Sequence, residues 1–259
     1  MKKIHTAAGY GFAELVDKYI KEDKMDPNCE CAFNDLTSIT PLHFCSGIGP
    51  DSITNDRAKC IEILVDNKAD VNHSTSRKDT PLHWATKLAD YQVCNKLIER
   101  GANVNLVNTD NCTCAHGAAF YKNLDILENL LNLKVDVNVK DISGKNVLML
   151  LCKDAVDNVS YLENDSKVDK KEKEKKLVVL VERLLKEFKV DPNCKDVADF
   201  TPVMFASEHG HMELMQKLID YKADVNMANG EGINSLLLAI VNSLPKTVAY
   251  LLKNGKLKF

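Results

Sequence analysis

Thr80-Pro81-Leu82-His83 opens a stretch that closes on Ala102-Asn103-Val104-Asn105. The design returns as Thr113-Cys114-Ala115-His116 and again as Asn146-Val147-Leu148-Met149, each opening thirty-three residues after the last. Taking the Thr position as the anchor, openings fall at Lys2, Thr40, Thr80, Thr113, Asn146, Thr201 and Asn234. The first six units close on Asn28, Asn72, Asn105, Asn138, Asn193 and Asn226, and five of these six precede the next opening by eight residues. A fixed period in this range marks an array of stacked units sharing one growing core. Connections of constant length between units predict a repeated hairpin.

Residue types explain one unit. Thr80 is a good helix N-cap, and Pro81 sits in the first turn, where its missing N–H costs nothing. A short inner helix follows through Leu82, Trp84 and Ala85. A second, outer helix runs from about Tyr91 to Arg100, with Val93, Leu97 and Ile98 on one apolar face. Gly101 supplies the left-handed residue that ends it. Neither helix can bury its apolar stripe alone, so neighbouring units must stack.

The T-P-L-H opening and the thirty-three-residue period resemble the ankyrin repeat family over nearly the whole chain. The resemblance implies an all-α solenoid of stacked helix-turn-helix units joined by β-hairpin loops. Seven repeats are expected, at approximately 1–34, 35–74, 75–107, 108–140, 141–195, 196–228 and 229–259, as one array over 1–259. It also implies that the histidine in the fourth position of the turn ties adjacent turns together. His5, His43, His83 and His116 match that position. A metal or a general base is the functional alternative for them, and the structural role is preferred.

Some features depart from the family. Lys68, Lys134, Lys189 and Lys222 stand where a glycine normally ends the outer helix. A side chain in the left-handed region costs about 1 kcal/mol, partly offset by a cation at the negative end of the helix dipole. Two insertions fall between paired helices, at approximately 47–56 and 153–176. The second ends in the run from Ser166 to Lys176, polar and mixed in charge. It is expected to remain a solvated loop or to add solvated turns to the outer helix beginning near Leu177.

Composition narrows the chemistry. A net charge of −3 argues against nucleic acid, whose binders carry a strong basic excess. The longest apolar runs, such as Leu236 to Val241, are far too short to span a bilayer. An odd count of 9 cysteines and an N-terminus without a signal-peptide pattern point to free thiols in a reducing, intracellular setting, cytoplasmic rather than nuclear. The sequons at Asn72, Asn111, Asn158 and Asn164 are then coincidental. Two C-x-C pairs, Cys29/Cys31 and Cys112/Cys114, belong to units two apart and cannot share one tetrahedral zinc site. No metal and no cofactor is therefore expected.

Nucleophilic catalysis needs a nucleophile, a base and an orienting group that converge. Here Ser, Cys and His follow the repeat, and no G-x-S-x-G, phosphate-binding or kinase motif occurs. His209/His211 is the nearest candidate pair, but His211 follows Gly210 as a family-like Gly-His turn. The chain reads as non-catalytic. Asn72, Asn105, Asn138 and Asn226 each follow a leucine by eight residues, which in this family accompanies asparagine hydroxylation. Both residue types are also plain repeat consensus, so this is a possible modification and not a function.

The remaining function class is protein binding on the concave face of hairpin tips and inner helices, by a monomeric array. The resemblance assigns partner contact to positions just after the inner-helix alanine: Tyr10, Ile48, Leu88, Phe120, Tyr121, Glu208 and His209. Hairpin-tip candidates are Arg77, Asp79, Asp110 and Lys145. Phe120-Tyr121 is distinctive, because exposed aromatics anchor interfaces. Alternatively the chain is a regulatory or targeting segment of a larger enzyme, channel or ubiquitin-ligase receptor, or a pathogen effector mimicking host ankyrin proteins. The apolar run Leu236 to Val241 is unusual for an end unit, and further repeats or another domain after Phe259 are expected from it.

Overall fold

The computed structural model describes residues 2–47, 56–87, 90–153 and 167–254, the side chains of 167–170 excepted. Both expected insertions lie partly outside them, as do Ile48 and Leu88. The chain divides into two compact units, Met1–Val135 and Asp136–Phe259.

The first unit holds four helix pairs: α1 (Lys3–Gly9) with α2 (Ala13–Lys21), α3 (Pro41–Gly47) with α4 (Arg57–Asp66), α5 (Pro81–Lys87) with α6 (Tyr91–Glu99), and α7 (Cys114–Phe120) with α8 (Leu124–Asn132). The inner helices α1, α3, α5 and α7 stack in chain order, and the outer helices α2, α4, α6 and α8 form a second layer on them. Between the layers lies a core that includes Leu42, Leu64, Leu82, Leu97, Leu127 and Leu130, all at 0% or 1% exposure. Trp84 belongs to this core. It packs so closely on Gly47 that an added Cβ there would stand 2.6 Å from the indole.

The opening motif acts as a clasp. In the second repeat His43 Nδ1 accepts from the Thr40 amide (3.3 Å) and the Thr40 hydroxyl (2.9 Å). An amide can only donate, so the proton of this neutral ring sits on Nε2, which donates to the carbonyl of Asp79 at 3.0 Å. His83 repeats the pattern, with Thr80 on one side and the Cys112 carbonyl at 3.0 Å on the other. His5 Nε2 donates to the Ile39 carbonyl at 3.1 Å. Each of these histidines thus joins one inner helix to the hairpin that opens the next repeat.

The second unit holds α9 (Val147–Cys152) with α10 (Lys167–Lys186), α11 (Pro202–Glu208) with α12 (Met212–Asp220), and α13 (Ser235–Val241) with α14 (Pro245–Asn254). Its clasps differ, because Met149 and Met204 replace histidine. The Thr201 amide meets only the Met204 sulfur at 3.4 Å, and Asn146 caps through its own side chain. Helix α10 includes residues 167–176 of the charged run, which are helical. Leu177, Leu180, Val181 and Leu184 bury one face of α10 and nucleate it, so extending the helix through good helix formers is inexpensive.

Hairpin length decides where strands form. The first hairpin is the one with twelve residues, not eight, from closing Asn28 to opening Thr40. The extra length makes an antiparallel ladder of β1 (Cys31–Phe33) and β2 (Leu36–Ile39), pairing Cys31 with Ile39 and Phe33 with Leu36. The shorter hairpins are tight turns, the last of them with one isolated antiparallel bridge between Ala228 and Asn234. The lysines at the glycine positions do enter the left-handed region, with φ of 72° at Lys68, 55° at Lys134, 52° at Lys189 and 71° at Lys222.

Two outcomes follow from these geometries. Lys222→Gly removes the side-chain strain at the cost of a more flexible unfolded chain, so stability should rise by roughly 0.5–1 kcal/mol in urea unfolding. Burial lowers the pKa of His43 to about 4, against a weaker upward pull from the Asp79 carbonyl. Above pH 6.5 the ring is neutral both folded and unfolded, and its contribution is intact. As pH falls from 6.5 through 4 the unfolded chain takes the proton first, and up to about 3 kcal/mol is lost. His43→Met, the residue of the fifth and sixth repeats, should flatten that part of a stability-versus-pH curve.

Candidate protein-binding face

The hairpin tips are built by one recurring acceptor. Three residues after the second to the sixth closing asparagines stand Thr75, Asn108, Asp141, Asp196 and Asn229. Each side-chain oxygen accepts two backbone amides across its own tip: Thr75 from Arg77 and Asp79, Asn108 from Asp110 and Cys112, Asp141 from Ser143 and Lys145. Asp196 does the same for Ala198 and Phe200, and Asn229 for Glu231 and Ile233. The fixed spacing of three was the available sequence signal for this set. Neighbouring tips also join by backbone bonds, Ser76 N–H to Thr37 O (3.1 Å), Thr109 N–H to Arg77 O (2.9 Å) and Val197 N–H to Ser143 O (3.0 Å). Gly144 allows the last of these, since a Cβ there would lie 2.8 Å from the Val197 nitrogen.

On the first unit, Arg77 and Asp110 stand exposed at adjacent tips. Asp79 does not. It is only 5% exposed, and its carboxylate accepts from Asn108 Nδ2 at 2.8 Å, so it ties two hairpins together and is not an open tip contact. At the far end of the inner helices, Phe120 is the last residue of α7 and Tyr121 its C-cap. Their rings meet edge to face at 5.0 Å, with Phe120 51% exposed and Tyr121 half-buried. Tyr10, at the same place after α1, is exposed and stacks on Phe12 at 5.9 Å. Phe12 extends the aromatic surface, and its signal was a large apolar residue where the fourth repeat has Asn123.

On the second unit, Lys145 is also occupied. Its ammonium lies 3.1 Å from the buried Asp196 carboxylate and 6.0 Å from the Phe205 ring centre, linking two successive hairpins. Glu208 and His209 are half-buried at the end of α11, 3.9 Å apart. The His209 and His211 rings lie 6.2 Å apart.

The thiols are part of the packing. Cys114 donates to the Val104 carbonyl at 3.1 Å, and burial pushes its pKa up to about 12. Burial likewise raises Cys29, Cys31 and Cys45, and takes Cys194 up to about 11. Such thiols are poor nucleophiles and poor metal ligands at neutral pH. Among the described residues no group of three or more His, Cys, Asp or Glu is placed to hold a metal ion. A depression of about 420 Å³ lies on the outer-helix side of the first unit, lined by Tyr91, Asp125, Glu128, Asn129 and Asn132.

Three of the closing asparagines are bridges. Asn28 Nδ2 donates to Lys68 O (2.9 Å) while its Oδ1 accepts from the Asp70 amide (2.7 Å). Asn72 does this with Gly101 O (3.3 Å) and the Asn103 amide (2.8 Å), and Asn193 with Lys222 O (3.1 Å) and the Asp224 amide (2.7 Å). Each side chain therefore satisfies the end of the next outer helix. Asn226 bonds within its own loop to Asp224.

Stacked helix pairs, histidine clasps and asparagine bridges define a repeat protein, and the chain belongs to the ankyrin repeat family. The family models for ankyrin repeats (3 copies) match residues 4–108 and 172–258, and that for ankyrin repeats (many copies) matches 97–151. A palmitoyltransferase, AKR1 of Lachancea kluyveri, is 22% identical over 92% of this chain and 29% of its own length. The putative ankyrin repeat protein FPV031 of fowlpox virus is 31% identical over 51% of the chain and 36% of its own. A Caenorhabditis elegans homologue of the transient receptor potential cation channel subfamily A member 1 is 29% identical over 48% of the chain and 10% of its own. The chain thus spans well under half the length of these relatives. The crystal structure of the human ASB11 ankyrin repeat domain has the same fold, with a TM-score of 0.74 at 22% identity and 100% coverage of both chains.

Removing one bridge tests its weight. Asn72→Ala leaves a helix-end carbonyl and an amide without their partner, and should cost about 1–3 kcal/mol in chemical unfolding.

Proposed function

We propose that this chain is a non-catalytic protein-interaction module, a monomeric array of seven ankyrin repeats that holds a partner protein on its concave face. The observation that carries the reading is the Phe120-Tyr121 pair. An aromatic residue half open to solvent, on a helix whose other face is packed, is a ready interface anchor. Tyr10 and the exposed tips at Arg77 and Asp110 extend the contact on the same unit, and Glu208 and His209 supply further contacts on the other. A net charge of −3 supports a protein partner and not nucleic acid. Among the described residues no helix is long and apolar enough to cross a membrane. We place the module inside the cell, in the cytoplasm before the nucleus. Hydroxylation at Asn72, Asn105, Asn138 or Asn226 would require a loop to open, since Asn72 has both ends of its amide engaged.

A second reading is favoured by the relatives. Similarity to parts of a palmitoyltransferase and of a channel homologue fits a regulatory or targeting segment of a larger protein. The same face would then hold a partner or a neighbouring domain.

Affinity capture with wild type and with Phe120→Ala/Tyr121→Ala, followed by titration of the captured protein, tests the face. The double substitution should weaken binding roughly thirtyfold, about 2 kcal/mol, with little change in thermal stability. A stable double variant that binds as wild type would remove these residues from the interface.

A further inference from the structure

The third repeat leaves its cations open on the tip and inner-helix side. Arg77 and Lys78 stand exposed at the hairpin tip, and Lys87 is the exposed last residue of α5. Among the described residues none of these three is in an ion pair. The outer helices of the same unit instead pair Arg57 with Asp90, Lys96 with Glu62 and Arg100 with Asp66. The carboxylate of that hairpin, Asp79, is turned inward onto Asn108. With Asp110 on the next tip set against the three cations, this part of the face remains positive in a chain of net charge −3. The helix dipole favours Lys87 in the last turn of α5, but Arg77 and Lys78 lie on its N-terminal side, where cations gain nothing.

These cations border the Phe120-Tyr121 pair. Lys87 and Phe120 each stand seven residues after the opening threonine of their repeat, on helices α5 and α7 that pack together. Gly117 lets α7 approach, since a Cβ there would lie 2.7 Å from the Thr86 hydroxyl oxygen. Asn123 Nδ2 donates to the Thr86 carbonyl at 2.6 Å and fastens the loop after Tyr121 to the end of α5. Lys87 and Phe120 are therefore neighbours at one level of the stack, about 10 Å apart, the spacing of packed helices.

We infer that the segment held here is acidic: a stretch of a partner protein with carboxylates over the third repeat and an apolar side chain on Phe120-Tyr121. Charge complementarity carries the assignment. The length of α5, about 10 Å, separates Arg77 from Lys87, so they suit successive carboxylates along an extended chain. A single phosphoryl group calls for cations that converge. Asp110 gives the site a direction, because it opposes a carboxylate over the fourth repeat. The inference rests on the concave-face reading above and names the partner's chemistry.

A displayed library of short random peptides is selected on the full chain at low salt, and an enriched peptide is then titrated. Enriched peptides should carry Asp or Glu beside an aliphatic or aromatic residue. Arg77→Glu/Lys87→Glu should weaken binding roughly tenfold, and raising the salt from about 0.05 to 0.5 M should remove most of that difference. Both side chains are exposed, so the melting temperature should not move. If it does, Arg77→Ser/Lys87→Ser replaces the reversal and should weaken binding about threefold. Enrichment of basic or uncharged peptides, or of none, overturns the inference, as do acidic peptides indifferent to the reversals. An oligonucleotide that binds more tightly than the peptides, and is lost with the same reversals, also overturns it. Binding lost with Phe120→Ala/Tyr121→Ala but indifferent to the reversals keeps the concave-face reading and rejects this one.

Discussion

A helix of seven residues beside one of nine cannot bury its own apolar side, and every other feature of this protein answers that constraint. The free energy of each repeat resides in the surface it shares with the next. Leu82, Leu97 and Leu127 are sealed because helices from adjacent repeats close over them. Register between repeats therefore matters as much as structure within them. The histidine clasp sets it on the inner side, from His43 to Asp79 and from His83 to Cys112. The asparagine bridge sets it at the ends of the outer helices, from Asn28 to Lys68 and from Asn72 to Gly101. Surface ion pairs such as Glu62–Lys96 and Glu182–Lys217 follow the same spacing but contribute little each.

This division of labour explains why the polar residues of the array are buried and chemically quiet. His43 and His83 are neutral because burial disfavours their charged form, and both ring nitrogens are engaged. Cys45 sits where the third repeat has Ala85, a position for a small buried residue. Among the described residues, chemistry-bearing side chains are thus distributed along the stack by the repeat. The surface that remains available is the set of positions the stack does not use, at hairpin tips and the ends of inner helices.

Much of this was legible in the sequence. The helix pairs followed from residue type and spacing, because a repeat writes the same local physics several times. The left-handed lysines and the structural role of the histidines followed instead from the resemblance to the ankyrin family. Hairpin tips were less legible. Asp79 and Lys145 look like exposed tip residues by alignment, yet each is drawn onto the neighbouring hairpin, Asp79 by Asn108 and Lys145 by Asp196. Spacing places a residue in its own loop but does not say whether the adjacent loop offers a partner. The charged run before Leu177 was likewise ambiguous, since its composition suits solvent and helix alike. The buried face downstream decides for helix.

The sequence by itself determined the family, the pairing of short helices and the positions where the chain must turn, because these depend on period, caps and residues that tolerate a positive φ. Only the tertiary structure decided which polar groups are spent between repeats and which aromatic and aliphatic side chains are left uncovered. Burial is a property of neighbours. Phe120, Leu237 and Ile240 occupy ordinary positions in their own repeats, and only the surrounding helices show that these side chains remain open.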